Sequence, residues 1–264
     1  MATIVKPPKM TQEAFYNAVR ANTLEVSFSS LSRLMDSPRH FAEYFTAERK
    51  QTDSMILGDA IHTGLLQPEK FLQKFAVQPK NANNSSKANK ARLAAFVAEL
   101  GYRTPISETD FATCEKIVST MLRNKGFTDL LVGEKEHRFS TTIDGVPVCG
   151  VCDVQNDFGV VDLKYTQTAK PKKFERKAIY DFRYDLQGAI YTIANPRPFF
   201  ILAVDDECYW ITFSFDASRI EQATKTLIEL LNTYKKLQAA LRDGVDMFDK
   251  GYEYYLPNGY YTIY

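Results

Sequence analysis

The segment from Val148 to Lys164, VCGVCDVQNDFGVVDLK, constrains the fold more than any other part of this 264-residue chain. Its valines favour two short β-strands, and the polar Asn156–Gly159 stretch between them is typical of a turn. Asp153 lies in the first strand, and Asp162 and Lys164 lie two residues apart in the second. Because residues two apart on a strand point to the same face, we expect Asp162 and Lys164 to emerge together, with Asp153 brought beside them by the neighbouring strand.

Two carboxylates and a lysine on one face of a sheet are costly to bury without a partner. The usual solution is a divalent metal ion between the carboxylates, whose oxygens suit Mg²⁺ or Mn²⁺. Such a site hydrolyses phosphodiesters by activating a water, with the lysine near the reacting group. The alternative is an exposed hairpin with ordinary surface ion pairs, since Asp-x-Lys is a common tripeptide. The segment alone leaves both interpretations open.

The composition is that of a well-folded globular protein. Hydrophobic residues make up 45% of the chain, which contains 18 Phe and 15 Tyr, and its length suffices for an ample core. The formal net charge is +1, which excludes a polycation. If the protein binds nucleic acid, its basic charge must therefore be local.

The cysteines and the N-terminal segment favour a soluble protein of a reducing cytoplasm. Four cysteines in a chain of this length do not make a disulfide framework. Cys149 and Cys152 have the spacing of zinc ligands, but no second pair or histidine accompanies them, and residues three apart on a strand point to opposite faces. The start of the chain lacks the apolar core of a signal peptide, and no run approaches the ~18 apolar residues of a membrane span.

The order of apolar patterns predicts a mixed α/β fold, with a mainly helical part over residues 1–130 and a sheet followed by a C-terminal helix over residues 131–264. Helices are predicted over residues 11–21, 27–45 with a break at Pro38, 54–66, 67–75, 108–124, 182–194 and 216–242. Strands are predicted over residues 134–142, 147–154, 160–165, 198–204 and 208–215. We find no strong linker, and we expect one domain over residues 1–264.

Two segments are locally basic and are candidates for contacts with backbone phosphates, which are independent of sequence. The first segment, residues 166–181, follows the proposed site directly and carries Lys170, Lys172, Lys173, Arg176 and Lys177 against one Glu. The second segment, residues 79–92, has no acidic residue and contains Lys87 and Lys90. Its alternative interpretation is a solvated loop that leads into a helix near residues 91–100.

Five short motifs, in order between residues 27 and 191, together resemble the PD-(D/E)xK nuclease superfamily and, within it, the RecB- and RecE-like exonucleases. They are SFSSLSRLMDSPRHF over residues 27–41, Gly58-x-x-x-His62, Gly150-x-x-Asp153, Asp162-x-Lys164 and Gln187-x-x-x-Tyr191. The resemblance implies an α/β restriction-endonuclease-like core, in which helices flank a mixed central sheet. The branch that the chain resembles most is the exodeoxyribonuclease VIII type of phage and prophage recombination nucleases.

The resemblance also implies a metal site. His62, Asp153 and Asp162 would hold one or two Mg²⁺ ions, for which Mn²⁺ can substitute, with the backbone carbonyl of Leu163 as a further ligand. A lone histidine in an apolar helix is by default a core residue, and the order of the motifs is what favours His62 as a ligand. No iron–sulfur cluster is expected, because the cysteines that hold one in some RecB-like relatives have no counterparts here.

Five further side chains receive roles near the metal. The resemblance implies that Lys164 orients or helps to deprotonate the attacking water. Gln187 and Tyr191 would position the scissile strand or the lysine. Glu134 and Glu136, on the first predicted strand, are candidate carboxylates of the metal's surroundings, and the sequence does not choose between them.

The activity that the resemblance implies is Mg²⁺-dependent 5′→3′ digestion of linear double-stranded DNA, which leaves 3′ single-stranded tails for single-strand-annealing recombination. It further implies a RecT-like annealing protein as partner, a ring-shaped homo-oligomer, no membrane, and the cytoplasm of a bacterial host. One alternative is a structure-specific or CRISPR-adaptation-like nuclease on the same fold. The other is a catalytically silent DNA-binding module, against which the intact Asp153, Asp162, Lys164 and His62 argue.

Overall fold

The computed structural model describes residues 5–6, 9–80 and 86–255. Its N-terminal part contains the helices α1 (Gln12–Ala21), α2 (Phe28–Asp36), α3 (Pro38–Thr46), α4 (Asp53–Leu66), α5 (Phe71–Lys74), α6 (Lys87–Leu100), α7 (Glu108–Leu122) and α8 (Lys125–Leu130). Short strands accompany them, namely β1 (Val5–Lys6), β2 (Arg49–Lys50), β3 (Phe75–Gln78) and β4 (Thr104–Ser107). The remainder forms β5 (Glu134–Ile143), β6 (Val146–Gln155), β7 (Val160–Thr166), α9 (Pro171–Arg176), a π-helical turn (Lys177–Asp181), α10 (Tyr184–Ala194), β8 (Phe199–Asp205), β9 (Trp210–Ser214) and α11 (Ala217–Arg242). This order confirms the predicted mixed α/β fold.

A five-stranded mixed sheet, in the order β5-β6-β7-β8-β9, forms the centre of the fold. β5 and β6 form a hairpin, and the Asp144-Gly145 dipeptide at its tip has the two positive φ angles, 49° and 79°, that a type I′ turn requires. β7 and β8 are parallel. A parallel pair needs a crossover connection, which α9 and α10 supply.

β6 and β7 separate at the point that carries the motif carboxylates. Their ladder consists of two pairs, Val154 with Val161 and Gln155 with Val160. The next opposed residues would be Asp153 and Asp162, and there the two strands diverge. β7 instead stays paired with β8 from Val160 to Thr166. The sheet therefore opens into a fork with one carboxylate on each prong.

Both faces of the sheet are covered by helices. Alternate residues of a strand face opposite sides, and along β8 Ile201 and Ala203 join one apolar cluster while Leu202 and Val204 join another. The first cluster includes residues of α1, α2, α3, α10 and α11, and the second includes residues of α4, α7 and α8. α11 begins after its N-cap Asp216, whose side chain accepts a hydrogen bond from Arg219 N.

Three details differ from the sequence-based predictions. α6 begins at Lys87, after the N-cap Ser86, so Lys87 and Lys90 lie on a helix rather than in a loop; residues 81–85 lie outside the described part. The helix predicted to end at Phe75 ends at Lys74, because Phe75 opens β3, which pairs in parallel with β4. Neither short strand has a pattern long enough to predict.

The cysteines and helices add two observations. Cys152 is buried in the core and Cys149 is half-buried, and all four cysteines of the chain are free thiols. Among the described residues, no helix has both the length and the apolar character needed to cross a membrane.

Candidate active site

α4 brings His62 to the fork between β6 and β7. The helix begins after Thr52, whose side chain accepts a hydrogen bond from Met55 N, and it packs against α7 and β7. His62 Nε2 lies 3.2 Å from Asp153 Oδ1 and 3.8 Å from Glu136 Oε1. The histidine is therefore a contact of two carboxylates and not a core residue.

Glu136 reaches this position because the backbone of β5 is irregular there. Its φ angle is 56°, a conformation that is uncommon outside glycine and costs of order 1–3 kcal/mol. The pairs on either side of it, Lys135 with Val154 and His137 with Cys152, are intact, whereas Glu136 itself forms no ladder pair with Asp153. The irregularity turns the Glu136 carboxylate towards His62.

The structure distinguishes the two candidate glutamates of β5. Glu136 lies with His62 and Asp153, and one ligand atom from each of the three falls within 4.8 Å of the others. Glu134 is exposed, and its Oε1 atom is hydrogen-bonded to His137 Nδ1 at 2.8 Å. The carboxylate beside the site is thus that of Glu136.

Asp162 and Lys164 emerge on one face of β7 and form an ion pair with 2.5 Å between Lys164 Nζ and Asp162 Oδ2. Gln187 Nε2, on α10, donates to Asp162 Oδ1 over 2.7 Å. Across the fork, Leu163 N donates to Asp153 Oδ2 over 2.7 Å. This bond replaces part of the missing ladder and fixes the Asp153 carboxylate. Carbonyl ligation by Leu163 stays a prediction.

Tyr191 is hydrogen-bonded to the backbone of β6. It is buried, and its hydroxyl donates to the carbonyl oxygen of Val151 over 2.8 Å. A Cβ atom on Gly150 would lie 2.8 Å from the Tyr191 ring and 2.5 Å from that of Phe139, so glycine is required for this approach. Tyr191 thus anchors β6 two residues before Asp153. Gln187 contacts Asp162, the carboxylate that pairs with Lys164. The expectation that Gln187 and Tyr191 position the scissile strand or the lysine stays a prediction.

The charges of the site perturb one another strongly. Burial lowers the pKa of His62, but the hydrogen bond and charge of Asp153 outweigh burial, and the net pKa is raised. Burial raises the pKa of Asp153, and His62 and Lys164 reverse that effect and leave it lowered. Burial raises the pKa of Asp162 to about 6 against the opposing charge of Lys164, whose own pKa the carboxylates raise despite burial. Burial also raises the pKa of Glu136. Three carboxylates thus face one lysine and one histidine.

The donor set fits a divalent cation. One imidazole nitrogen and two carboxylate oxygens converge from His62, Glu136 and Asp153. The carboxylate oxygens suit Mg²⁺ or Mn²⁺, and an imidazole nitrogen is more typical of transition-metal sites. The Glu136 Oε1 atom is buried and has no hydrogen-bond partner among the described residues. A buried carboxylate oxygen without a donor is unfavourable, and a cation would satisfy it.

The basic residues predicted to hold phosphates are mostly exposed. Lys170 precedes α9, which carries Lys172, Lys173 and Arg176, and the half-buried Lys177 opens the π-helical turn. Lys87 and Lys90 project from the first turns of α6. One neighbour of Lys164 was not predicted from the sequence: the Tyr184 ring centroid lies 5.2 Å from Lys164 Nζ. Its position three residues before Gln187, hence on the same face of α10, is the signal that could have found it.

Comparisons with known proteins agree with this architecture. A family model described as "PDDEXK-like domain of unknown function (DUF3799)" matches residues 27–245. No curated protein matches the sequence. A crystal structure from Eubacterium rectale, named "Putative exonuclease", has a TM-score of 0.58 at 16% identity and covers 86% of this chain and 87% of its own. That likeness concerns the fold alone. The crystal structure of SSO0001 has a TM-score of 0.26 at 14% identity over 67% of this chain and 87% of that one.

Proposed function

The chain belongs to the PDDEXK-like domain family DUF3799, and we propose that it is a metal-dependent deoxyribonuclease that digests linear double-stranded DNA from its 5′ ends and leaves 3′ single-stranded tails. The fold is that of the PD-(D/E)xK nuclease superfamily. The observation that carries the proposal is the convergence of His62, Glu136 and Asp153 within 4.8 Å at a fork whose other prong holds Asp162 and Lys164.

The metal would be held by His62, Glu136 and Asp153, with Asp162 and the Leu163 carbonyl as further candidate ligands from β7. Bound there, a divalent ion such as Mg²⁺ or Mn²⁺ would act as a Lewis acid that offsets phosphate charge and lowers the pKa of a water. The protein's own contribution is to hold the ligands in place. Leu163 N orients Asp153, Gln187 orients Asp162, and the Tyr191 anchor fixes β6.

Lys164 is the cation that this chain supplies at the reacting phosphate. It is half-buried on β7 and forms an ion pair with Asp162. We propose that it orients the attacking water and donates to a phosphate oxygen as negative charge develops in the transition state. An ammonium held beside a fixed carboxylate needs no reorganisation for that role.

The DNA backbone would lie against the basic side chains after β7, most of which are exposed. These are Lys170, Lys172, Lys173, Arg176 and Lys177, and Lys87 and Lys90 on α6 would give additional phosphate contacts. Contacts of this kind carry no base preference. They suit an enzyme that must digest DNA of any sequence.

The wider biological setting is proposed from the motif resemblance to the exodeoxyribonuclease VIII type. It comprises single-strand-annealing recombination in a phage or prophage, a RecT-like annealing partner, a ring of identical subunits and the cytoplasm of the bacterial host. The five motifs between residues 27 and 191 support this setting.

The test is digestion of end-labelled linear duplex DNA with Mg²⁺, on 5′-phosphorylated and 5′-hydroxyl ends. Release of 5′ mononucleotides that Asp162→Ala abolishes and Asp157→Ala preserves would support the proposal, because Asp157 is an exposed carboxylate in the turn of the same hairpin. Cleavage of closed circles would replace it with an endonuclease. Duplex binding without cleavage by the wild type would leave a DNA-binding module on a nuclease fold.

A further inference from the structure

A groove of about 990 Å³ opens beside the candidate site, between α2, α3 and the chain that precedes α10. Tyr184 lines this groove, and its ring centroid is 5.2 Å from Lys164 Nζ. The groove therefore reaches the aromatic ring that neighbours Lys164, the lysine that the proposed function places on the reacting phosphate. Neither the family description nor the metal ligands account for it.

The wall of the groove before α10 has an unusual backbone. The π-helical turn over Lys177–Asp181 is followed by Arg183 with a φ angle of 52°. π-helical turns are rare in proteins, and those that occur are often found at functional sites. An arginine whose backbone is in the left-handed region is strained. Ion pairs hold this conformation, since the fully buried Asp185 contacts Arg183 Nε at 3.1 Å and Arg219 at 2.6 Å.

The strained wall presents aromatic rings to solvent. Tyr180 is 73% exposed and Phe182 is 44% exposed, and both line the groove. Phe182 stacks on Tyr184 with ring centroids 5.3 Å apart and an interplanar angle of 24°. A row of rings thus leads from the open groove to Lys164, although rings of this size are ordinarily placed in a core or an interface.

The charges of the groove exclude a simple phosphate channel. Four Lys or Arg side chains and four Asp or Glu side chains line it, so its formal charge balances. Positive charge lies instead on the adjoining α9, where Lys172, Lys173 and Arg176 are exposed beside one glutamate. α9 packs against the π-helical turn that carries Tyr180, and exposed aromatic rings beside basic side chains are the combination that binds the bases and the backbone of a single strand.

We propose that this groove binds the unpaired bases of a single-stranded stretch of DNA next to the cleavage site, with Tyr180 and Phe182 as stacking platforms and α9 along the backbone. Base pairs inside a duplex stack on one another and cannot offer their faces to these rings. The inference rests on the proposed deoxyribonuclease function and deepens it, since it defines the substrate at the catalytic lysine as a separated strand.

Binding is tested without metal, in EDTA, so that no cleavage is needed. Single-stranded oligonucleotides with 2-aminopurine report stacking by fluorescence quenching. The wild type should quench them, and the double variant Tyr180→Ala/Phe182→Ala should bind about 10-fold more weakly or worse, given the typical strength of base–aromatic stacking. Tyr180→Trp/Phe182→Trp should retain binding, and Tyr209→Ala removes an exposed tyrosine outside the groove as the matched control. Circular dichroism confirms that each variant is folded.

Equal quenching and affinity in the wild type and the double alanine variant would overturn the inference. A second result would also overturn it. If the double alanine variant binds DNA as the wild type does but differs from it in molar mass by light scattering, the groove is a contact between protein molecules.

Cleavage separates this inference from the proposed function. With Mg²⁺, the double alanine variant should lose rate on blunt duplex ends and regain it on ends with unpaired terminal bases. If the wild type cleaves and the variant cleaves equally well on both ends, the groove inference alone fails. If the wild type cleaves nothing but still quenches 2-aminopurine through Tyr180 and Phe182, the groove inference stands and the proposed nuclease function fails.

Discussion

Gln187 Nε2 donates a hydrogen bond to Asp162 Oδ1 over 2.7 Å, and this bond joins α10 to β7 at the fork. Both side chains are almost completely buried, with 4% and 2% of their surface exposed. The second oxygen of Asp162 faces Lys164. The amide therefore determines how a buried carboxylate is presented to the lysine and to a metal beside it.

Gln187→Leu should lower both stability and activity. A hydrogen bond to a buried charged group contributes about 1.5–3 kcal/mol, and its loss also frees the Asp162 carboxylate to rotate. We expect chemical denaturation to show a loss of that size and the rate of DNA digestion per folded molecule to fall about 10-fold or more. Gln238→Leu is the control, because Gln238 is a buried glutamine that donates to Val19 O far from the fork. An equal loss of rate in both variants would contradict the special role of Gln187.

Gly150→Ala should destabilise the protein through the Tyr191 anchor. The new Cβ would lie 2.5 Å from Phe139 and 2.8 Å from Tyr191, so the rings must move. Overpacking of this kind costs about 1–3 kcal/mol, and displacement of Tyr191 would also shift β6 and Asp153. Thermal unfolding and DNA digestion measure the two effects.

Gly58→Ala provides the comparison for that glycine. Its Cβ would meet no atom closer than 3.8 Å, and it lies inside α4. Since alanine is favoured over glycine in helices by about 1 kcal/mol, this variant should be as stable as the wild type or more so. A loss of stability in Gly58→Ala as large as that in Gly150→Ala would contradict the difference in free space around the two glycines.

Native thiol reactivity tests the placement of the cysteines. Burial raises the pKa of Cys114 and of Cys152 to about 12, so neither carries an appreciable thiolate fraction at pH 8, and both side chains are shielded. A colourimetric thiol reagent at pH 8 should therefore label Cys149 and Cys208 first, and all four in denaturant. Because ionisation must precede labelling, any slow reaction of the buried pair should accelerate as the pH rises. Rapid labelling of Cys152 in the native protein would contradict its burial in the core.

Local periodicity explains which parts of the site could be predicted. Asp162 and Lys164 are two residues apart on a strand, so the pleat places them on a common face. The position of Asp153 beside them follows from the hairpin that pairs β6 with β7. The meeting of His62 with these strands depends on how α4 packs, and the order of the motifs was needed to foresee it. The long helices and central strands have strong patterns, whereas β3 and β4, of four residues each, have none.

Conformations without a sequence signal explain the rest. A glutamate with a φ angle of 56° has no local signature, so Glu136 could not be chosen over Glu134. The motif resemblance gave Tyr191 a role at the scissile strand or the lysine, whereas its bond to the Val151 carbonyl depends on the room that Gly150 leaves, a feature of the tertiary packing. The left-handed Arg183 pairs with the buried Asp185, and Asp185 is held in turn by the distant Arg219 of α11, a tertiary contact.

Metal binding should separate Glu136 from Glu134. A ligand that binds the folded state stabilises it by RT ln(1 + [L]/Kd), about 2.7 kcal/mol at 100 times Kd, so Mn²⁺ should raise the melting temperature of the wild type and EDTA should reverse the increase. Glu136→Gln removes one of the three converging ligands and should abolish most of this increase, because a neutral amide is a poorer ligand than a carboxylate. Glu134→Gln changes an exposed residue that contacts His137 and should leave it intact. Differential scanning fluorimetry across a Mn²⁺ titration measures both, and isothermal titration calorimetry gives the affinities directly. An unchanged Mn²⁺ response in Glu136→Gln would show that the buried Glu136 oxygen is satisfied in another way and that the metal is held by His62, Asp153 and Asp162.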